Sequence, residues 1–176
     1  MLLSEELPYS LIEEHHLPIQ GKSVTAGAIL LVLTAAIASA QQTCPALNRA
    51  QAAAALLQPG AQDNLQLAVE WRGTGDYVCT YSAGQATLRI AVAPYHARDG
   101  WPSYAAGCFA PGGPITGIGD EAVTCATPAG ANPAQQETLG HVRDTFFSVH
   151  ITWPAAAVPN PDAMRRAAEQ VAANLF

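Results

Sequence analysis

The alternation of apolar and polar positions is clearest from residue 44 onward. Asn48 followed by Gln51 makes a capping box ahead of "RAQAAAALL", predicting a first helix that Pro59-Gly60 stops. "LQLAVEW", residues 65–71, sets Leu65, Leu67, Val69 and Trp71 on one side, the two-residue period of a half-buried strand. "YVCTYS" and "ATLRIAVAP" follow, turning at Ala83-Gly84, with Leu88, Ile90 and Val92 on one face; the pair reads as a hairpin. Residues 94–117, rich in Pro, Gly and aromatics, read as a loop with a short helical turn near 103–107. Strand character returns at "EAVTCA". After "TPAGANPA" a second hairpin is predicted, "ETLGHVR" and "TFFSVHITW", turning at Arg143-Asp144 and aligning Phe147, Val149, Ile151 and Trp153. Asn160-Pro161-Asp162 supplies an N-cap, an N1 proline and an acidic N2, opening a helix that gathers Met164, Ala167, Ala168, Val171 and Leu175. The expected fold is α+β: an antiparallel sheet of five to six strands packed by an N-terminal and a C-terminal helix.

Composition changes this picture mainly through what is small. The 176 residues are 49% hydrophobic and 12% charged, the balance of one packed globule. Much of the apolar content is alanine, which fills little volume, so the core rests on a modest set of larger side chains and needs covalent help. Residues 24–40, "VTAGAILLVLTAAIASA", form an uncharged apolar run after Lys22 that ends in Ala38-Ser39-Ala40, the small-x-small pattern of a signal-peptidase site. Cleavage there makes Gln41 the mature N-terminus and residues 41–176 a single exported domain. The alternative is a retained membrane anchor, for which this run is at the short end. Either way the protein is expected to be secreted or periplasmic.

Residues 1–23 do not fit a signal peptide's basic start, because Glu5, Glu6, Glu13 and Glu14 face the single Lys22. They read as an atypical acidic leader, with the true start downstream of Met1. His15 and His16 lack the i, i+4 spacing of a shared helix face and are not assigned as metal ligands.

All four cysteines, Cys44, Cys79, Cys108 and Cys125, lie in the exported part, as a disulfide set would. Three pairings are possible. The sequential one, Cys44 to Cys79 and Cys108 to Cys125, is preferred because the second pair closes the Pro/Gly-rich "FAPGGPITGIG". Zinc fails on spacing, since there is no C-x-x-C and no histidine pair at ligand intervals. After residue 40, seven arginines and no lysine oppose ten carboxylates, a net charge of −3. Without a basic stripe the counterion-release term is absent, which argues against nucleic acid as a partner.

Four segments together resemble a family of small exported bacterial proteins, largely actinobacterial and lipoprotein-like, with no assigned function. They are Cys44 before "PALNRAQAAAALL", then Cys79-Thr80-Tyr81, then Gly117-Ile118-Gly119-Asp120-Glu121-Ala122, then the closing amphipathic helix. The resemblance spans most of residues 44–175. It implies a Cys44–Cys79 bridge, because the first two cysteines pair in that family, and it carries over no catalytic residue. Gln41 stands where a lipobox cysteine would sit, so no lipid anchor is expected.

Few residues suggest chemistry. Gly117, Gly119 and Ala122 fit the permissive dinucleotide-loop pattern, but "PGGPIT" precedes them and a strand follows, where a strand and then a long helix are required. The stretch reads instead as a turn whose glycines allow positive φ and whose Asp120 bonds nearby amides, and no cofactor is expected. Asp120 and Glu121, as neighbours on a strand, should point to opposite faces, which is wrong for paired-carboxylate hydrolysis. Ser82 in "TYSAG" lacks a nucleophile elbow. His150 shares the face of Ser148 and Thr152 and reads as solvated. The segment "PYHARDGWPSY" gathers Tyr95, His96, Arg98, Trp101 and Tyr104, residue types that anchor binding surfaces, although Trp101 and Tyr104 can equally cap the core under a loop. The resulting expectation is a non-enzymatic binding module for an envelope or extracellular partner. The alternatives are a cofactor-free hydrolase using His96 or His141 with a carboxylate, and a structural envelope protein.

Overall fold

The computed structural model describes residues 42–56, 61–108, 111–125, 134–155, 157–158 and 160–176. The acidic leader, the apolar run 24–40, Gln41, Pro59-Gly60 and most of "TPAGANPA" lie outside them. The capping box forms as the sequence predicts: Asn48 Oδ1 accepts the Gln51 amide at 2.9 Å, and Gln51 Oε1 accepts the Asn48 amide at 3.1 Å. It opens α1 (Arg49–Leu56), which the short α2 (Ala61–Asn64) follows. At the other end of the chain Asn160 Oδ1 accepts the Ala163 amide at 3.0 Å and opens α4 (Pro161–Asn174). Met164, Ala167, Ala168 and Val171 bury one side of that helix, and Leu175 becomes its C-cap.

Between the helices runs one antiparallel sheet: β1 (Gln66–Gly73), β2 (Asp76–Ala83), β3 (Ala86–Pro94), β4 (Pro111–Pro114), β5 (Glu121–Cys125), β6 (Gln135–Val142) and β7 (Thr145–Thr152). Its order is β1-β2-β3-β7-β6-β5-β4. It has seven strands, not five to six. The additional strand is β4, "PGGP", whose composition hides it: prolines cannot donate to a ladder, but an edge strand needs donors on one side only. Pro111 stands opposite Cys125 and Pro114 opposite Val123, with the register shifting between them. The loop that precedes β4 is also more ordered than predicted, with a 3-10 turn at Ala97–Asp99 and α3 (Trp101–Ala105).

One face of the sheet carries the core. Leu88, Ile90 and Val92 on β3 and Phe147, Val149 and Ile151 on β7 alternate inward, all at most 2% exposed, with α4 packed on β6 and β7 and α1 on β3. Trp71 departs from the predicted pattern. It is 61% exposed at the end of edge strand β1 and rests on Tyr77, ring centroids 5.0 Å apart. On the opposite face a smaller cluster of Cys108, Val123, Cys125 and Leu139 is covered by Trp101, Ala105 and Phe146. That face also holds a polar row, Arg89 beside His150 beside Glu137. His150 lies on the predicted face but half-buried there, and burial followed by the Arg89 charge holds its imidazole below the ordinary histidine range. Burial likewise raises the Glu137 carboxyl, against the pull of Arg89.

Both disulfides are present, Cys44–Cys79 and Cys108–Cys125. The first ties the segment before α1 into β2; the second ties the end of the α3 segment to β5. Such bonds accord with an oxidising compartment. Among the described residues, no helix is long and apolar enough to cross a membrane.

Candidate functional site

The site begins with a turn. Gly117 and Gly119 adopt φ of +84° and +60°, so "GIGD" takes a path that L side chains rarely follow. At Gly119 the requirement is also steric, since a Cβ there would stand 2.3 Å from the carbonyl oxygen of His141. This close approach lets the Asp120 amide donate to that carbonyl at 2.8 Å. The Asp120 carboxylate then accepts the Arg143 amide at 2.6 Å, as a residue that caps nearby backbone should. Arg143 itself carries φ +51° at the predicted β6–β7 turn. It is held there by Asp120 and by Phe176, whose carbonyl oxygen accepts from Arg143 Nη1 at 3.1 Å and whose ring lies 5.0 Å beneath the guanidinium.

His141, on β6, is the centre of the site. Its Nε2 lies 3.4 Å from Glu121 Oε2 and its Nδ1 3.8 Å from Asp120 Oδ2. The expectation that these two carboxylates diverge is corrected here. Asp120 belongs to the turn before β5, so strand alternation does not govern it, and both acids reach the same imidazole. Nδ1 is buried and has no hydrogen-bond partner, as 3.8 Å exceeds hydrogen-bond range.

The loop residues converge on the same histidine. Tyr95 stacks on the His141 ring at 4.1 Å and 9° between planes, and Trp101 meets it at 5.4 Å and 51°. Tyr104 packs against Tyr95 at 4.7 Å and Phe146 at 5.0 Å, and its hydroxyl accepts the His96 amide at 2.9 Å. Three of the five predicted residues, Tyr95, Trp101 and Tyr104, therefore form a half-buried aromatic wall around His141. His96 contributes its backbone, and its side chain is exposed. Arg98 points away, 82% exposed and 3.8 Å from Asp99. The Tyr95 hydroxyl is pushed above its ordinary range, by lost solvation first, then by Glu121, Tyr104 and Asp99.

In the sequence His141, Asp120 and Glu121 lie far from the loop that holds Tyr95, Trp101 and Tyr104. The signal that links them is register: Glu121 stands directly opposite His141 across β5 and β6. The assembled site offers an aromatic wall, an imidazole and two exposed carboxylates, an arrangement that can hold a ligand bearing positive charge or several hydrogen-bond donors. Among the described residues no group of three or more His, Cys, Asp or Glu is placed to hold a metal ion. Set against protein-family models, curated proteins and solved structures, the chain matches none.

Proposed function

We propose that the protein is an exported, non-enzymatic binding module that recognises an envelope or extracellular partner through the aromatic wall around His141. The observation that carries this reading is the packing of Tyr95 and Trp101, with Tyr104 behind Tyr95, on a histidine flanked by two carboxylates. A loop stapled by Cys108–Cys125 holds those side chains in place, which lowers the ordering cost of binding. The resemblance of the cysteine and Gly-x-Gly-Asp-Glu-Ala segments to exported bacterial proteins supports the same compartment.

The His141–Glu121 pair also favours one second reading, a hydrolase with His141 as base. Against it, neither ring nitrogen of His141 bonds a hydroxyl among the described residues.

Two measurements test the proposal. Intact mass of protein recovered outside the expressing cell should begin at Gln41 and rise by four alkyl groups only after reduction; four thiols that alkylate freely would overturn the export reading. The secreted protein should then bind isolated envelope material, and Glu121→Gln and Trp101→Ala should each weaken that binding. Ester hydrolysis lost in His141→Gln would favour the enzyme, whereas neither binding nor turnover would leave a structural role.

A further inference from the structure

The sheet ends in two unlike edges, β4 and β1. The β4 edge carries Pro111 and Pro114, which have no N–H to offer another strand. The β1 edge has no such block. Ala83 and Ala86 close the Gly84-Gln85 turn as a bonded pair, so the odd residues of β2 exchange backbone bonds with β3. The even residues of β2, opposite Gln66, Ala68 and Glu70, exchange theirs with β1. Leu67, Val69 and Trp71 therefore turn their N–H and C=O groups outward, and the Val69 amide donates in that direction to exposed Gln42 Oε1 at 3.3 Å. This outward stretch has defined ends. At one, the Leu65 carbonyl is taken by Arg49 Nη2; at the other, the register with β2 shifts between Trp71 and Gly73. Val69 is its midpoint. Trp71, 61% exposed, shares a side with Leu67 and Val69, which lie half-buried against the core.

We propose that this edge binds a second copy of the chain, β1 antiparallel to β1 about a two-fold axis at Val69. In that register Val69 faces the partner's Val69 and Leu67 faces the partner's Trp71, each pair exchanging both backbone bonds. The bond to be displaced is the one from the Val69 amide to Gln42. On the core side each Trp71 ring covers a Leu67 of the other copy. On the other side Glu70 faces Ala68, so no like charges stand directly opposite. The two Glu70 carboxylates lie on the diagonal, each already paired with its own Arg72 at 3.0 Å. A second copy brings the same free length and an apolar residue wherever this strand presents one. The pairing is isologous and closes, and the proline-bearing β4 edges do not extend it. β2, β3 and β7 separate β1 from the strand of His141, so this inference does not depend on the function proposed above.

The test sediments the full oxidised chain over a range from about 1 µM to about 1 mM. An edge this short buries less than the ~1,200 Å² of a stable interface, so a dimer with a Kd on the order of 10–100 µM is expected, and no larger species. Hydrogen exchange locates the contact: the amides of Leu67, Val69 and Trp71 should gain protection as concentration rises. Strong protection that does not change with concentration would show the edge covered within one chain, and would overturn the proposal. Val69→Pro removes the central outward N–H and leaves the bonds to β2, so it should remain monomeric throughout. Trp71→Lys, at an exposed position, should weaken the dimer about tenfold and serves as the second variant if Val69→Pro does not fold. A monomer at every concentration, growth past the dimer, or a dimer that neither variant weakens would each overturn the proposal as well.

Discussion

At the scale of single residues, Gly119 is the position where a missing side chain matters most. Gly119→Ala combines positive φ with a Cβ driven into the His141 carbonyl, and is expected to cost about 2 kcal/mol or more. Gly117→Ala, with similar φ but open space around it, should cost only about 1 kcal/mol; urea unfolding of the two variants separates the terms. Tyr81 supplies a pH signature. It is fully buried, donates its hydroxyl to the Leu47 carbonyl, and burial pushes its pKa up to about 12. The unfolded chain ionises this phenol near 10. The contribution of Tyr81 is therefore fully present below about pH 10 and is lost as pH rises toward 12, so Tyr81→Phe should shrink the alkaline loss of stability, leaving the share from Tyr77 and Tyr95. That the "GIGD" glycines take positive φ and that Asp120 caps backbone was legible in the sequence. That Asp120 joins Glu121 on one histidine was not, since it depends on where the strand starts to within one residue.

At the scale of elements, local patterns are legible in the sequence, and features set by a partner strand are not. The Asn48–Gln51 box, the Asn160-Pro161-Asp162 start and the apolar strand segments are local patterns, and the elements formed over those residues to within a few positions. β4 escaped because only its pairing with β5 makes a strand of "PGGP". Trp71 follows the alternation of β1 but lies near the end of an edge strand, where it stays exposed and rests on Tyr77. The disulfides give this scale its prediction. Their sequence separations are 17 and 35, so in the chain-entropy model removing Cys108–Cys125 costs about 3 kcal/mol and removing Cys44–Cys79 about 4 kcal/mol. Paired Cys→Ala variants in a thermal-unfolding series check the order. The Cys108–Cys125 deletion should also loosen α3 and with it Trp101 and Tyr104, so the envelope binding proposed above should weaken in this variant and not in the other.

For the whole molecule, the strand order separates two meanders: β1-β2-β3 in the first half of the domain, β4-β5-β6-β7 in the second. They meet along one ladder, where Ile90 of β3 faces Val149 of β7, residues far apart in the chain. Each half contains one disulfide, and neither bond crosses the ladder. Both meanders are built from sequence-local hairpins, and local contacts form early. The joint between them, with its longer-range contacts, is expected to close late. Truncations at Ile90 or Val149 should therefore speed unfolding far more than they slow refolding, read from the two arms of a chevron. In an oxidising compartment one half can thus oxidise before the other has been completed, with each staple forming inside its own meander and no need to correct a bridge between them.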